Sequence, residues 1–177
     1  YGQLPRQERM RLHRRAADWI ETHSGADRAN RLLEIADHWD NAGDPARAVD
    51  CLLEESLRLF RQGFALDSVK VGLKAIRIAG VTPPEDSAAR QAGIGAALGR
   101  VAGLVAGRPP GALVAGGLPP SPDLALKLKA LLMTAPFAFQ SNQFEIFAWA
   151  ATEAMRQVAE AGSGPPHAFS MYSIVLA

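Results

Sequence analysis

Apolar residues recur at three- and four-residue intervals along the whole chain, and no stretch alternates with a period of two. This spacing predicts an all-α protein. Pro5 opens a first helix, at a position where its missing N–H costs nothing, with an apolar stripe of Leu12, Ala16, Trp19 and Ile20. A second helix carries Leu32, Ala36 and Trp39 and stops at Gly43. Asp44-Pro45 then reads as an N-cap followed by a first-turn proline, launching a helix with Val49, Leu52, Leu53, Ser56, Leu57 and Phe60 on one side and Gly63 at its end. A fourth helix has Val69, Leu73 and Ile76 and ends at Gly80.

Thr82-Pro83-Pro84-Glu85 has the form of a capping box and predicts the start of a fifth helix, striped by Ile94, Leu98, Val101 and Val105. Beside that stripe lies a glycine every fourth residue (Gly95, Gly99, Gly103, Gly107), which predicts close packing against a neighbouring helix. A Pro/Gly-rich connector follows over 107–122. Within it Leu113-Val-Ala-Gly116 repeats Leu104-Val-Ala-Gly107, a low-complexity echo rather than a folding repeat. Ser121-Pro122-Asp123 caps a sixth helix, predicted to stop at Ala135 before Pro136. Asn142 with Glu145 predicts another start, followed by Phe144, Phe147, Ala148, Ala151, Met155 and Val158. Gly162 to Pro166 breaks the chain before a last helix.

The result is about eight helices of roughly 12–20 residues joined by short turns, the pattern of stacked antiparallel hairpins. Gly43 to Ala48 and Gly63 to Ser68 match in layout, a glycine preceding a small residue that lets two helices approach, as tetratricopeptide-type hairpins require. The expected fold is therefore all-α, a tetratricopeptide-like solenoid fragment. We divide it into a linker helix over 1–25, hairpins over 26–80 and further superhelix over 81–177.

Charge changes this picture in one respect. Residues 1–90 hold 14 Lys+Arg and 14 Asp+Glu, whereas 91–177 hold 5 and 4, so the second half has little charge with which to cover its helices. The formal net charge of +1 argues against a nucleic-acid partner for the chain as a whole. The best membrane-span candidate, from Ile94 to Gly107, carries Arg100 at its centre and falls short of the ~20 apolar residues required. Arginines interrupt every apolar stretch near the start, which does not read as a secretory signal, and one cysteine permits no intrachain disulfide. A cytoplasmic location is the expectation. The start at Tyr1 and the uncapped apolar run from Met171 to Ala177 read as the ends of a segment truncated from a longer chain.

No catalytic set emerges from the motifs. Gly93-Ile-Gly95-Ala-Ala-Leu-Gly99 imitates a dinucleotide fingerprint, but no strand precedes it and its glycines fall inside a helix. Glu34 and His38 share a helix face beside Asp37, a metal site only if a third ligand arrives from elsewhere. His13 reads as part of a solvated face, Cys51 as a small hydrophobe, and Trp19, Trp39 and Trp149 as core anchors. The basic cluster Arg6, Arg9, Arg11, Arg14 and Arg15, opposed locally by Glu8, reads as a charged face that meets a neighbouring domain. Arg11, Arg14, Arg15, Asp37, His38 and Trp39 are the candidate interaction surface; no catalytic, cofactor-binding or metal-binding residue is assigned.

Tyr1-Gly-Gln-Leu-Pro-Arg-Gln-Glu-Arg, with Leu12-His13-Arg-Arg-Ala-Ala-Asp-Trp19-Ile20-Glu21, resembles the start of the helical region of large bacterial signalling ATPases of the STAND/AAA type. Ala36-Asp37-His38-Trp39 and Ala42-Gly43-Asp44-Pro45-Ala46-Arg47-Ala48-Val49 are similar to the first hairpin of that region's tetratricopeptide-like superhelix. Leu118-Pro119-Pro120, Leu131-Leu132, Ala135-Pro136-Phe137 and the run from Ser163 to Leu176 resemble a segment of multidomain serine/threonine kinases carrying such an ATPase. Related arrangements accompany class III adenylate or guanylate cyclases. The resemblance implies a non-catalytic regulatory segment whose partners are the parent's other domains and a protein effector. It places ATP and Mg in the parent chain, because no P-loop, kinase aspartate or cyclase aspartate has a counterpart here. The alternatives are a small helical metal-dependent enzyme using Glu34 and His38, and a membrane-surface module acting through the glycine-rich helix.

Overall fold

A computed structural model describes residues 4–107 and 120–177. The low-complexity echo and most of the Pro/Gly connector lie outside the described residues. Those described form eight α-helices and one 3-10 segment, with no strand among them. They are α1 (Arg6–His23), the 3-10 segment (Gly25–Arg31), α2 (Leu32–Asn41), α3 (Pro45–Arg61), α4 (Ala65–Ile78), α5 (Ser87–Val105), α6 (Pro122–Gln140), α7 (Phe144–Ala161) and α8 (Pro166–Leu176). The chain divides into two compact units, one ending at Gly80 and the other beginning at Val81.

In the first unit α1 packs on α2, α2 on α3, and α3 on α4. Large side chains fill the space between them: Leu32, Ile35, Trp39, Val49, Leu52, Val69 and Ile76 are all fully buried. Alternate helices also touch through side chains. Asp18 of α1 pairs with Arg47 of α3 at 3.1 Å, and Asp37 of α2 with Lys74 of α4 at 2.5 Å. Both are exposed pairs worth little individually; they set register more than stability.

The corners of this unit share one conformation. Gly43 has φ +74° and Gly63 φ +87°, the left-handed region in which a Cβ is costly. The next amide in each case reaches back five residues, Asp44 to the Trp39 carbonyl at 3.0 Å and Phe64 to the Leu59 carbonyl at 2.9 Å. This closes the outgoing helix as a Schellman motif, and the same residue serves as N-cap of the incoming helix. At the first corner the Asp44 side chain accepts from the Arg47 amide, as its N-cap reading requires. The small residues five positions on, Ala48 and Ser68, are fully buried, and Ser56 donates to the Ser68 carbonyl across the α3–α4 contact at 2.9 Å.

The second unit is built around α7, against which α5, α6 and α8 all pack. Four expectations from the pattern fail here. The fifth helix starts after Asp86, which accepts from the Ala89 amide at 2.7 Å, and not at Thr82. Pro84 disfavours helical backbone at Pro83, so the capping box cannot form where its letters suggest. The sixth helix does not stop before Pro136 but runs through it to Gln140. Leu131, Leu132, Ala135 and Ala138 on either side are buried, and their packing on α7 offsets a local cost of about 3 kcal/mol. Asn142 does not cap the following helix. It takes φ +58° as the left-handed residue ending α6, and Gln143 returns to the Ala138 carbonyl at 2.9 Å. This is the corner of the first unit again, with asparagine in the glycine's place.

The fourth failure is the glycine row. A Cβ built at Gly95, Gly99 or Gly103 meets nothing within 4 Å among the described residues. The glycine in contact is Gly93, whose Cβ would lie 3.6 Å from the Trp149 ring. The buried face of α5 is instead Ala97 and Val101, with Ile94, Leu98 and Val105 half-buried.

Candidate functional site

The side of α1 turned toward α2 is set by helical spacing; it keeps Ile20 and, in part, Ala16 from the predicted stripe but is rotated away from Leu12 and Trp19. Ala17 and Ile20 are buried, and Met10, His13 and Ala16 are half-buried. Leu12 is 37% exposed and Trp19 58%, the latter stacked on His23 with ring centroids 4.8 Å apart. Trp19 is therefore not a core anchor. The rotation carries His13 inward, contrary to its reading as solvated. Its Nδ1 lies 2.8 Å from Nδ1 of His38 on α2, one ring donating and the other accepting according to tautomer. Burial first, and then the neighbouring His38, lower the His13 pKa from its ordinary value.

A cleft of about 310 Å³ opens beside His13 between the start of α1 and the end of α2, with Arg6, Arg9, Asp40 and Asn41 in its walls. A second, shallower groove of about 250 Å³ carries Arg11 and Arg14. Met10 lies between the two, its methyl pressed on Gly43, where a Cβ would come within 2.6 Å. The left-handed corner and the methionine thus fix the ridge that divides the grooves.

The predicted surface residues separate into two groups. Arg11, Arg14 and Arg15 are exposed on α1, Arg11 pairing with Glu8 at 2.9 Å. Asp37 is exposed and holds Lys74. His38 is half-buried against His13. Trp39 is only 1% exposed, beneath the Arg47 guanidinium at 4.0 Å from the ring centroid. It belongs to the core, as its stripe position implies, and is unavailable as a contact surface. Trp149 is likewise buried.

Glu34 does not complete a site with His38. Arg31 holds its carboxylate by two hydrogen bonds of 2.8 and 3.0 Å and keeps its pKa below the usual value. Cys51 is buried, and its thiol is pushed up to about 11, first by burial and then by Glu21, so it is protonated at neutral pH. Among the described residues no three His, Cys, Asp or Glu converge as a metal set, and no helix is long and apolar enough to cross a membrane. The feature that sequence reasoning missed is the contact of His13 with His38. Its available signal was the spacing of Met10, His13, Ala17 and Ile20, a complete helical stripe once Trp19 is released from the core. No protein-family model, curated protein or solved structure matches the chain.

Proposed function

We propose that the chain is a non-catalytic helical-repeat segment of a signal-transduction ATPase, coupling the binding of a partner or effector to the ATPase and to a kinase or nucleotide cyclase output. The observation that supports this reading best is the stringing of α1 to α4. Each helix packs on the next, alternate helices exchange ion pairs, and the corners at Gly43 and Gly63 share one backbone conformation. Stacks of this kind offer long side surfaces for protein contact without needing a pocket. Arg11, Arg14 and Arg15 on α1 and Asp37 on α2 are the contact residues in this proposal. ATP and Mg belong to the parent chain in it, and partner binding on the helices biases the parent between two states.

The test uses the parent ATPase that this proposal requires. Arg14→Glu with Arg15→Glu, and separately deletion of residues 26–80, are compared with the unaltered protein for partner binding and ATP turnover. The proposal expects both variants to uncouple turnover from partner binding. Unchanged turnover and unchanged binding in both overturn it.

A further inference from the structure

The His13–His38 contact is independent of the interaction reading and supports a chemistry of its own. Two imidazole Nδ1 atoms 2.8 Å apart, one from each of two packed helices, form a hydrogen bond when one carries a proton. The same separation is that of two donors on one metal ion. With metal–nitrogen bonds of about 2.0 Å, nitrogens 2.8 Å apart subtend about 90° at the ion, the cis angle of square-planar and octahedral coordination. A tetrahedral ion would require them about 3.3 Å apart. The rings are inclined at 47° with centroids 5.1 Å apart, so they meet at an angle and are not stacked.

We propose that His13 and His38 chelate a divalent late transition metal ion, Cu(II) or Ni(II) in preference to Zn(II), as a clasp between α1 and α2. Each ring binds through Nδ1, and the proton formerly between them moves to the far nitrogen of its own ring, so both imidazoles stay neutral. No third imidazole, thiolate or carboxylate joins them among the described residues, so water completes the shell. Both rings are half-buried, and the cleft beside His13 gives that water room. Because the chelate exists only when α1 lies on α2, metal binding stabilises this helix pair by mass action.

The experiment takes the chain without a polyhistidine tag and titrates CuCl2, NiCl2 and ZnCl2 by calorimetry, with the Cu(II) EPR spectrum of the unaltered protein alongside. The proposal expects one equivalent per chain, affinity in the order Cu, Ni, Zn, a rise in Tm on loading, and hyperfine splitting from two nitrogens. His13→Asn and His38→Asn each lower affinity about 100-fold or more, because one arm of the chelate is gone. His23→Asn and His167→Asn leave it unchanged. Absence of binding at millimolar metal, retention of binding in His13→Asn or His38→Asn, or an EPR signal from a single nitrogen overturns the proposal and leaves an inter-helix hydrogen bond only. The EPR measurement on the unaltered chain decides even where a variant folds poorly.

Discussion

The two units solve the same packing problem with different proportions of the same materials, large side chains and alanine. In the first, α1 to α4 meet in chain order, and the interior is filled by an indole and branched aliphatic side chains. In the second, α7 has three partners, and a helix with neighbours on three sides must be thin. Ala150, Ala151 and Ala154 on α7 and Ala130, Ala135 and Ala138 on α6 are all fully buried, while Phe139 and Phe144, at the junction of those helices, stay about half exposed, edge to face with each other. Trp149, Phe147 and Leu131 still give the second unit large buried side chains, so the contrast lies in the alanine-lined stretch of α6 and α7, where volume is withheld.

That contrast is broken most severely at Trp39. Trp39→Ala removes a fully buried indole and the platform beneath Arg47, and should cost about 3–5 kcal/mol. Urea unfolding followed by circular dichroism measures it. A loss below about 1 kcal/mol would mean that the first unit collapses around the gap as freely as a surface site.

The reverse substitution belongs to the second unit. Ala151→Leu adds volume where α7 has none to give, and should destabilise by about 1–3 kcal/mol through overpacking. The sharper comparison is sign. Adding a large apolar side chain lowers the unfolding midpoint here, just as removing one does at Trp39. A neutral or raised midpoint for Ala151→Leu would show slack around α7 and erase the distinction between the units.

What could be read from the letters follows the same division. Helix existence, the Asp44 cap and the Gly43 and Gly63 corners are local properties, carried by residues whose backbone preferences are strong. Features that depend on a partner helix were lost. Trp19 and Trp39 look alike as apolar letters, yet the rotation of α1 exposes the first and brings His13 to His38. Pro136 predicts a stop on local grounds, which packing on α7 overrides. The glycine row on α5 satisfies the spacing for close approach, but spacing cannot say that a neighbour is present. The His13–His38 pair spans 25 residues and two helices, so no motif window contains it.

The glycine row gives a stabilising prediction. Gly99 sits inside α5, and no atom of the described residues lies within 4 Å of where its Cβ would be. Gly99→Ala should raise stability by about 0.5–1 kcal/mol, through better helix propensity and a less entropic unfolded chain. The readout is the urea midpoint with the slope unchanged. Loss of stability would mean that a neighbour covers this face in solution, restoring the close packing that the spacing first suggested.

The smallest effect tests whether the corner is one device used in both units. Asn142 stands at φ +58° where the first unit has glycine, and the flanking hydrogen bonds agree: Gln143 to Ala138 at 2.9 Å, matching Phe64 to Leu59 at 2.9 Å. Asparagine tolerates the left-handed region better than other non-glycine residues but still pays a steric cost that glycine does not. Glycine in turn loses more backbone entropy on folding, so the two terms nearly cancel. Asn142→Gly should therefore change stability by no more than about 0.5 kcal/mol, whereas Asn142→Val, branched at Cβ and unsuited to positive φ, should cost about 1–2 kcal/mol. Measured together in urea, equal effects of the two would show that the α6–α7 corner is held by packing rather than by backbone conformation. It would then share only its shape with the corners at Gly43 and Gly63.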